Sequence, residues 1–163
     1  MPAMTDPMTA LISFQQELKR GSITLQRCET DPDLYVHVDQ PAGTPRFTYV
    51  KVDGKTVTAM AIFAVVEPID RISCFHLGYA VPEKLRGQGK GKDIVAASIK
   101  EMANGFSRTA ITTFYIEAII GADNDVSHKI ASKLLSGMPT PVTDEVSGLP
   151  AFQYLKKINT KAA

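Results

Sequence analysis

Glycines stand at alternate positions, Gly87, Gly89 and Gly91, where the apolar period of the chain changes from two to about 3.6. The segment reads Val81-Pro82-Glu83-Lys84-Leu85-Arg86-Gly87-Gln88-Gly89-Lys90-Gly91-Lys92. Before it, Ile72 to Val81 is a strand. After it, Val95, Ile99, Met102 and Phe106 keep the spacing of one helical face, with Asn104-Gly105 as a stop signal. A strand that enters a helix through bare backbone exposes amide groups at the positive end of the helix dipole. Between residues 84 and 100 five basic side chains and one acid give +4, while the whole chain carries only +1. Bare amides, dipole and local charge together make an anion site.

Spacing narrows the choice of anion. A P-loop needs GxxxxGK followed by Ser or Thr. Here Arg86 stands five positions before Gly91, and Lys92 is followed by Asp93, which argues against a nucleoside triphosphate. The dinucleotide fingerprint GxGxxG fails as well. The glycines run 87, 89, 91, and hairpins instead of repeated βα units precede them.

The remaining chain predicts helix, several antiparallel strands, then strand, helix, strand, helix, strand. Asp6-Pro7 before the stripe Met8, Leu11, Phe14 and Leu18 reads as N-cap, first helical residue and a core-facing helix ended by Gly21. Ile23 to Cys28 and Leu34 to Val38 read as strands, and Gln40 to Pro45 as a loop. Phe47 to Val52 and Thr56 to Val66 flank Asp53-Gly54, a signal for a type I′ hairpin turn. The run Ala59 to Val66 loses its polar alternation, which places that strand mid-sheet with both faces covered. Glu67 to Asp70 turns the chain into the next strand. Phe114 to Ile120 is a strand. Val126, Ile130 and Leu134 mark one face of a helix for which Asp123, Asn124 or Asp125 is the N-cap. Gly137 to Pro150 is turn-rich, and Ala151 to Ile158 is a last strand with a basic, frayed tail. No repeat or interior linker divides the chain, so residues 1–163 read as one α+β domain.

The composition is that of an ordinary globular domain, with 44% hydrophobic and 21% charged residues, and no basic excess suggests nucleic acid. The longest apolar run, Ala59 to Val66, is far short of the ~20 residues that span a bilayer. Met1 to Met8 carries Asp6 and no basic residue, unlike a secretory signal. Cys28 and Cys74 show no CxxC spacing, so reduced thiols, no metal site and a cytoplasmic location are expected.

Arg86, Gly89 and Gly91 form Arg-x-x-Gly-x-Gly, preceded by Gly78-Tyr79-Ala80-Val81. Downstream, Glu117-Ala118-Ile119-Ile120 leads through Gly121-Ala122-Asp123 to Asn124-Asp125-Val126-Ser127, as in E-A-x-(V/I)-x-x-x-N-x-x-S. In both motifs the chain resembles the GNAT (Gcn5-related N-acetyltransferase) superfamily, the second motif being that of the branch modifying protein N-termini and small amines. The resemblance covers about residues 56–135, the acetyl-CoA-binding core. Residues 1–45 diverge, without the two-helix insertion after a first strand that most of the family has.

The resemblance implies a mixed, mostly antiparallel central sheet flanked by helices, and acetyl transfer from acetyl-CoA to an amine acceptor by direct attack. By analogy the backbone of Tyr79, Ala80 and Val81 binds pantetheine where two strands splay. Arg86, Gly87, Gln88, Gly89, Lys90, Gly91 and Lys92 hold the pyrophosphate, and Asn124 and Ser127 contact the arm near the thiol. Glu117 is the candidate base, with His76 as another, and Ser127 a candidate acid, because the usual Tyr seven residues after Asn124 is Ala131 here. Leu135-Ser136 replaces the usual Gly-Phe. Tyr115 and Tyr154 are further acids or simply packed aromatics. The missing Tyr leaves a noncatalytic acyl-CoA-binding or interaction module as the alternative. Acetyl-CoA and an amine are the expected partners, with no nucleic acid, membrane or metal, and the open edges of such a sheet offer a homodimer.

Overall fold

The computed structural model describes residues 6–161. Part of the signal-sequence reading, Met1 to Thr5, and the last two residues of the basic tail lie outside the described residues.

Helix α1, Pro7–Arg20, forms as its ends dictate. The Asp6 carboxylate accepts from the Met8 amide at 2.8 Å. Gly21 takes a left-handed φ of 79°, and its amide and that of Ser22 close onto Leu18 and Glu17 carbonyls. The buried stripe Leu11 and Phe14 packs on a sheet face built from Val50, Val57, Met60 and Ala80.

The sheet has eight strands: β1 (Gln26–Arg27), β2 (Leu34–Asp39), β3 (Arg46–Asp53), β4 (Thr56–Ile69), β5 (Ile72–Ala80), β6 (Thr113–Gly121), β7 (Thr140–Thr143) and β8 (Pro150–Asn159). Their spatial order is β1-β2-β3-β4-β5-β6-β8-β7. Every pairing is antiparallel except β5 with β6, which are joined through helix α2, Lys90–Phe106. Helix α2 buries Ile94, Val95 and Met102 on the face opposite α1, against Ala61, Phe63, Leu77, Phe114 and Ile116. With α1 on one face and α2 on the other, the apolar run in β4 is covered on both sides. Helix α3, Asp125–Leu134, lies near β6 and α2. This is the mixed, mostly antiparallel sheet flanked by helices that the resemblance implies.

Several local expectations are corrected. Only Gln26–Arg27 of the segment Ile23 to Cys28 joins the ladder, because Ile23 and Leu25 pack into the α1-side core. Asp53 pairs with Thr56, so the turn residues are Gly54 and Lys55, and of these only Gly54 has positive φ, 62°. A bulge after Lys51 shifts the register there. Two successive positive φ values occur instead at Asp70 and Arg71, 50° and 66°, between the paired Ile69 and Ile72. The stop signal Asn104-Gly105 is overridden. Phe106, still helical, packs on Phe47, Phe75 and Phe114 with ring centroids 5.3–6.1 Å apart. Val126 is exposed and Ala131 carries the buried face of α3. The turn-rich segment contains β7. The tail is tied down as far as Thr160, whose hydroxyl donates to the Ile111 carbonyl at 2.9 Å.

Candidate functional site

Strands β5 and β6 pair only from Cys74↔Tyr115 to His76↔Glu117, then separate, while β5 continues to Ala80 and β6 to Gly121. Beyond His76 each strand keeps its other neighbour, β4 and β8. The sheet therefore opens into a gap in its middle. Tyr79, Ala80 and Val81 line one side of it.

The glycine loop sits at the mouth of this gap. Gly87 and Gly89 have φ of 79° and 76°, where only glycine is unstrained, and a Cβ on either would meet nothing within 4 Å. Gly91 is needed for space: its Cβ would lie 3.0 Å from Cε2 of Tyr79. Among the described residues, no amide from Gly87 to Lys92 donates to a carbonyl outside α2 or to a side chain. The loop is thus a cradle of unengaged amides at the start of α2, flanked by Lys84, Lys90 and Lys92, an arrangement that suits an anion. Gln88 and Lys90 also line an open cavity of about 720 Å³. Arg86 turns away from the cradle. Its Nε donates to the Val81 carbonyl at 3.0 Å, pinning the loop to the end of β5.

Asn124 is the N-cap of α3, its Oδ1 accepting from the Ser127 amide at 3.2 Å. The Ser127 hydroxyl lies 2.6 Å from the phenol of Tyr79, so side chains of β5 and α3 meet. Burial pushes the Tyr79 phenol above its usual range, keeping it protonated at neutral pH.

On the opposite face of the sheet, at the last paired position, His76 Nδ1 lies 3.0 Å from Glu117 Oε1, and Gln153 Nε2 donates to Glu117 Oε2 at 2.9 Å. The bond from His76, aided by Gln153 and the imidazole charge against some opposing burial, holds the Glu117 carboxyl below the usual carboxylate range. Glu117 is therefore engaged on both oxygens. Among the described residues its side-chain partners are His76 and Gln153.

One cluster was not foreseen. His128 Nε2 lies 2.8 Å from the Gly121 carbonyl and Nδ1 2.6 Å from the Tyr154 phenol. A carbonyl only accepts, so Nε2 carries the proton, and in the neutral ring Nδ1 accepts from Tyr154. This bond uses the Tyr154 phenol to fasten α3 to β8. The i to i+1 divergence that separates Ser127 from His128 also aims them at β5 and β8. Ala131, where the family pattern has Tyr, is buried. Cys28 and Cys74 are buried, and burial pushes their thiols up to about 12 and about 11. Among the described residues no group of acids, histidines and cysteines gathers as a metal site. None of their helices is long and apolar enough to cross a membrane.

No protein-family model matches the chain, and no curated protein matches its sequence. Solved structures do. An acetyltransferase of the GNAT family from Streptococcus pneumoniae superposes with a TM-score of 0.53 at 8% identity, over 70% of this chain and 67% of that one. The RimL ribosomal-protein alpha-N-acetyltransferase in complex with coenzyme A gives 0.51 at 20% identity, over 71% and 64%. A ribosomal-protein-alanine acetyltransferase from Vibrio fischeri gives 0.53 at 16%, over 72% and 63%. This chain has the GNAT acetyltransferase fold. It spans about two thirds of the length of these GNAT structures. A single helix precedes its first strand, and residues 40–45 join β2 directly to β3.

Proposed function

We propose that the chain is an acetyl-CoA-dependent N-acetyltransferase that passes an acetyl group to a primary amine by direct attack. The gap between β5 and β6, with unengaged amides at its mouth, supports this reading most. A gap in a sheet leaves strand edges that take an extended amide-bearing arm as an added strand, and the cradle takes its diphosphate. Gly87 to Lys92 serve the pyrophosphate, Tyr79 to Val81 the pantetheine and Asn124 the arm's far side, while Arg86 acts by holding the loop. Ser127, hydrogen-bonded to the Tyr79 phenol, returns a proton to the leaving thiolate in this reading. Glu117 serves on the acceptor side. The work of the site is positioning and polarisation of the thioester.

The test is a thermal-shift titration with acetyl-CoA, CoA and ATP on wild type and Gly89→Glu. A ligand at 100 times its Kd stabilises by about 2.7 kcal/mol. Stabilisation by both CoA species, absent with ATP and lost in the variant, is expected. No shift with CoA contradicts the reading. The buried Ala131 in place of Tyr favours one second reading, an acyl-CoA-binding module without turnover. CoA binding with no thiol release from acetyl-CoA and any amine would establish that one.

A further inference from the structure

We propose that Nε2 of His76 takes the proton from the acceptor amine, with Glu117 as its positioning residue; this rests on the acetyltransferase reading above. Three observations meet at this side chain. The first is place. His76↔Glu117 is the last pair before β5 and β6 separate, so the imidazole stands at the closed end of the gap. The second is the tautomer. An ionised carboxylate only accepts, so the 3.0 Å contact fixes the proton on Nδ1 and leaves the lone pair of the neutral ring on Nε2.

The third is access. Nε2 has no hydrogen-bond partner among the described residues, and among them no buried side-chain nitrogen or oxygen lacks one. The lone pair therefore lies on the accessible part of a side chain that is 14% exposed. It faces the α1 side of the sheet, where Pro7 of α1 packs over Gly78, two residues along β5. The other imidazoles offer no such group at the gap. Both nitrogens of His128 are engaged, and His37 lies on β2, packed edge-on against Phe14. Glu117 itself already holds a donor on each oxygen. Cys74, Tyr115 and Lys157 share this face on β5, β6 and β8, with Asp6 at the start of α1. Burial keeps the Cys74 thiol neutral near pH 7.

In the step proposed, the ammonium form of the acceptor gives one proton to Nε2. The freed lone pair forms the C–N bond to the thioester carbonyl carbon, and the C–S bond breaks with its electron pair leaving on sulfur. Ser127 gives its hydroxyl proton to the thiolate and takes the second proton of the nitrogen in return, and Nε2 returns its proton to water. Ammonium and thioester become amide, thiol and one proton. An imidazole suits this role because its neutral ring donates through one nitrogen while the other accepts and returns a proton.

The experiment follows thiol release from acetyl-CoA with spermidine and with peptides beginning in alanine or serine, for wild type, His76→Ala and Glu117→Gln. His76→Ala is expected to lose about 100- to 10,000-fold in kcat, to keep the CoA thermal shift, and to recover part of the rate with added imidazole. Glu117→Gln is expected to lower kcat while leaving KM and the CoA thermal shift nearly unchanged, since the imidazole loses the acceptor that orients its ring. In unsubstituted protein, nitrogen-15 NMR is expected to show His76 protonated on Nδ1 at neutral pH. A His76→Ala rate equal to wild type, a loss that imidazole does not restore, or a proton on Nε2 overturns the proposal. Wild type that binds CoA yet releases no thiol with these amines overturns it too. Failure of CoA to stabilise wild type instead removes the acetyltransferase reading itself.

Discussion

The hydroxyls of Tyr79 and Ser127, 2.6 Å apart, join β5 to α3 beside the open part of the sheet. The Tyr79 ring also lies under Gly91 at the start of α2. One side chain thus ties together the strand, the glycine loop and the helix that line the gap. Tyr79→Phe keeps the ring and removes the bond. It is expected to lower the unfolding free energy by about 0.5–1.5 kcal/mol, read from urea denaturation. A loss of ~3 kcal/mol or more would mean that the phenol holds more than Ser127.

The loop glycines separate by cause. Gly91→Ala puts a Cβ against a ring anchored at its hydroxyl, and overpacking of this kind costs about 1–3 kcal/mol. Gly89→Ala meets no atom but holds alanine at a φ of 76°, at about 1–2 kcal/mol. Gly91→Ala is therefore expected to be partly rescued by Tyr79→Ala, and Gly89→Ala not at all. A double-mutant cycle in chemical denaturation reads the difference. Equal rescue of both would contradict the packing at Gly91.

Much of this was legible in the primary structure because it rests on local chemistry. The Asp6 cap, the Gly21 stop, the glycine loop and the strand-to-helix change that becomes β5 and α2 each announce themselves within a few residues. What was not legible depends on distant partners. Asn104-Gly105 is a stop signal in isolation, yet the aromatic contacts of Phe106 carry α2 past it. The paired positive φ at Asp70-Arg71 carries no glycine to mark it. At the site, Glu117 was visible as a strand carboxylate. Its pairing with His76 follows from a register across the crossover, and its bond to Gln153 from β8 lying next to β6. His128 and Tyr154, 26 residues apart, meet for the same reason.

Acid stability reports on the Glu117 network. Its folded-state pKa is held below the ordinary 4.5. A depressed carboxylate contributes stability that is present above the unfolded pKa and lost as pH falls through the folded one. Wild type is therefore expected to lose stability below about pH 4.5 more steeply than Glu117→Gln. Urea midpoints at pH 7 and pH 3.5 compare them. Parallel pH curves for the two proteins would mean that the carboxylate is not held as described.

Thiol reactivity follows from burial. With both thiols raised to about 11 or 12, little thiolate forms at pH 8, and neither sulfur is exposed. Ellman's reagent is expected to react with native protein many-fold more slowly than with urea-unfolded protein, which releases two equivalents per chain. Fast labelling of the native protein at either cysteine would contradict the packing around β5 or the start of β2.

Amide hydrogen exchange with and without CoA tests the central claim most directly, because it reads the cradle residue by residue. The account predicts that CoA slows exchange at the amides from Gly87 to Lys92 and at Val81, that ATP does not, and that Gly89→Glu abolishes the effect. Protection confined to other parts of the molecule, or none at saturating CoA, would contradict the assignment of the gap between β5 and β6 as an acyl-CoA site.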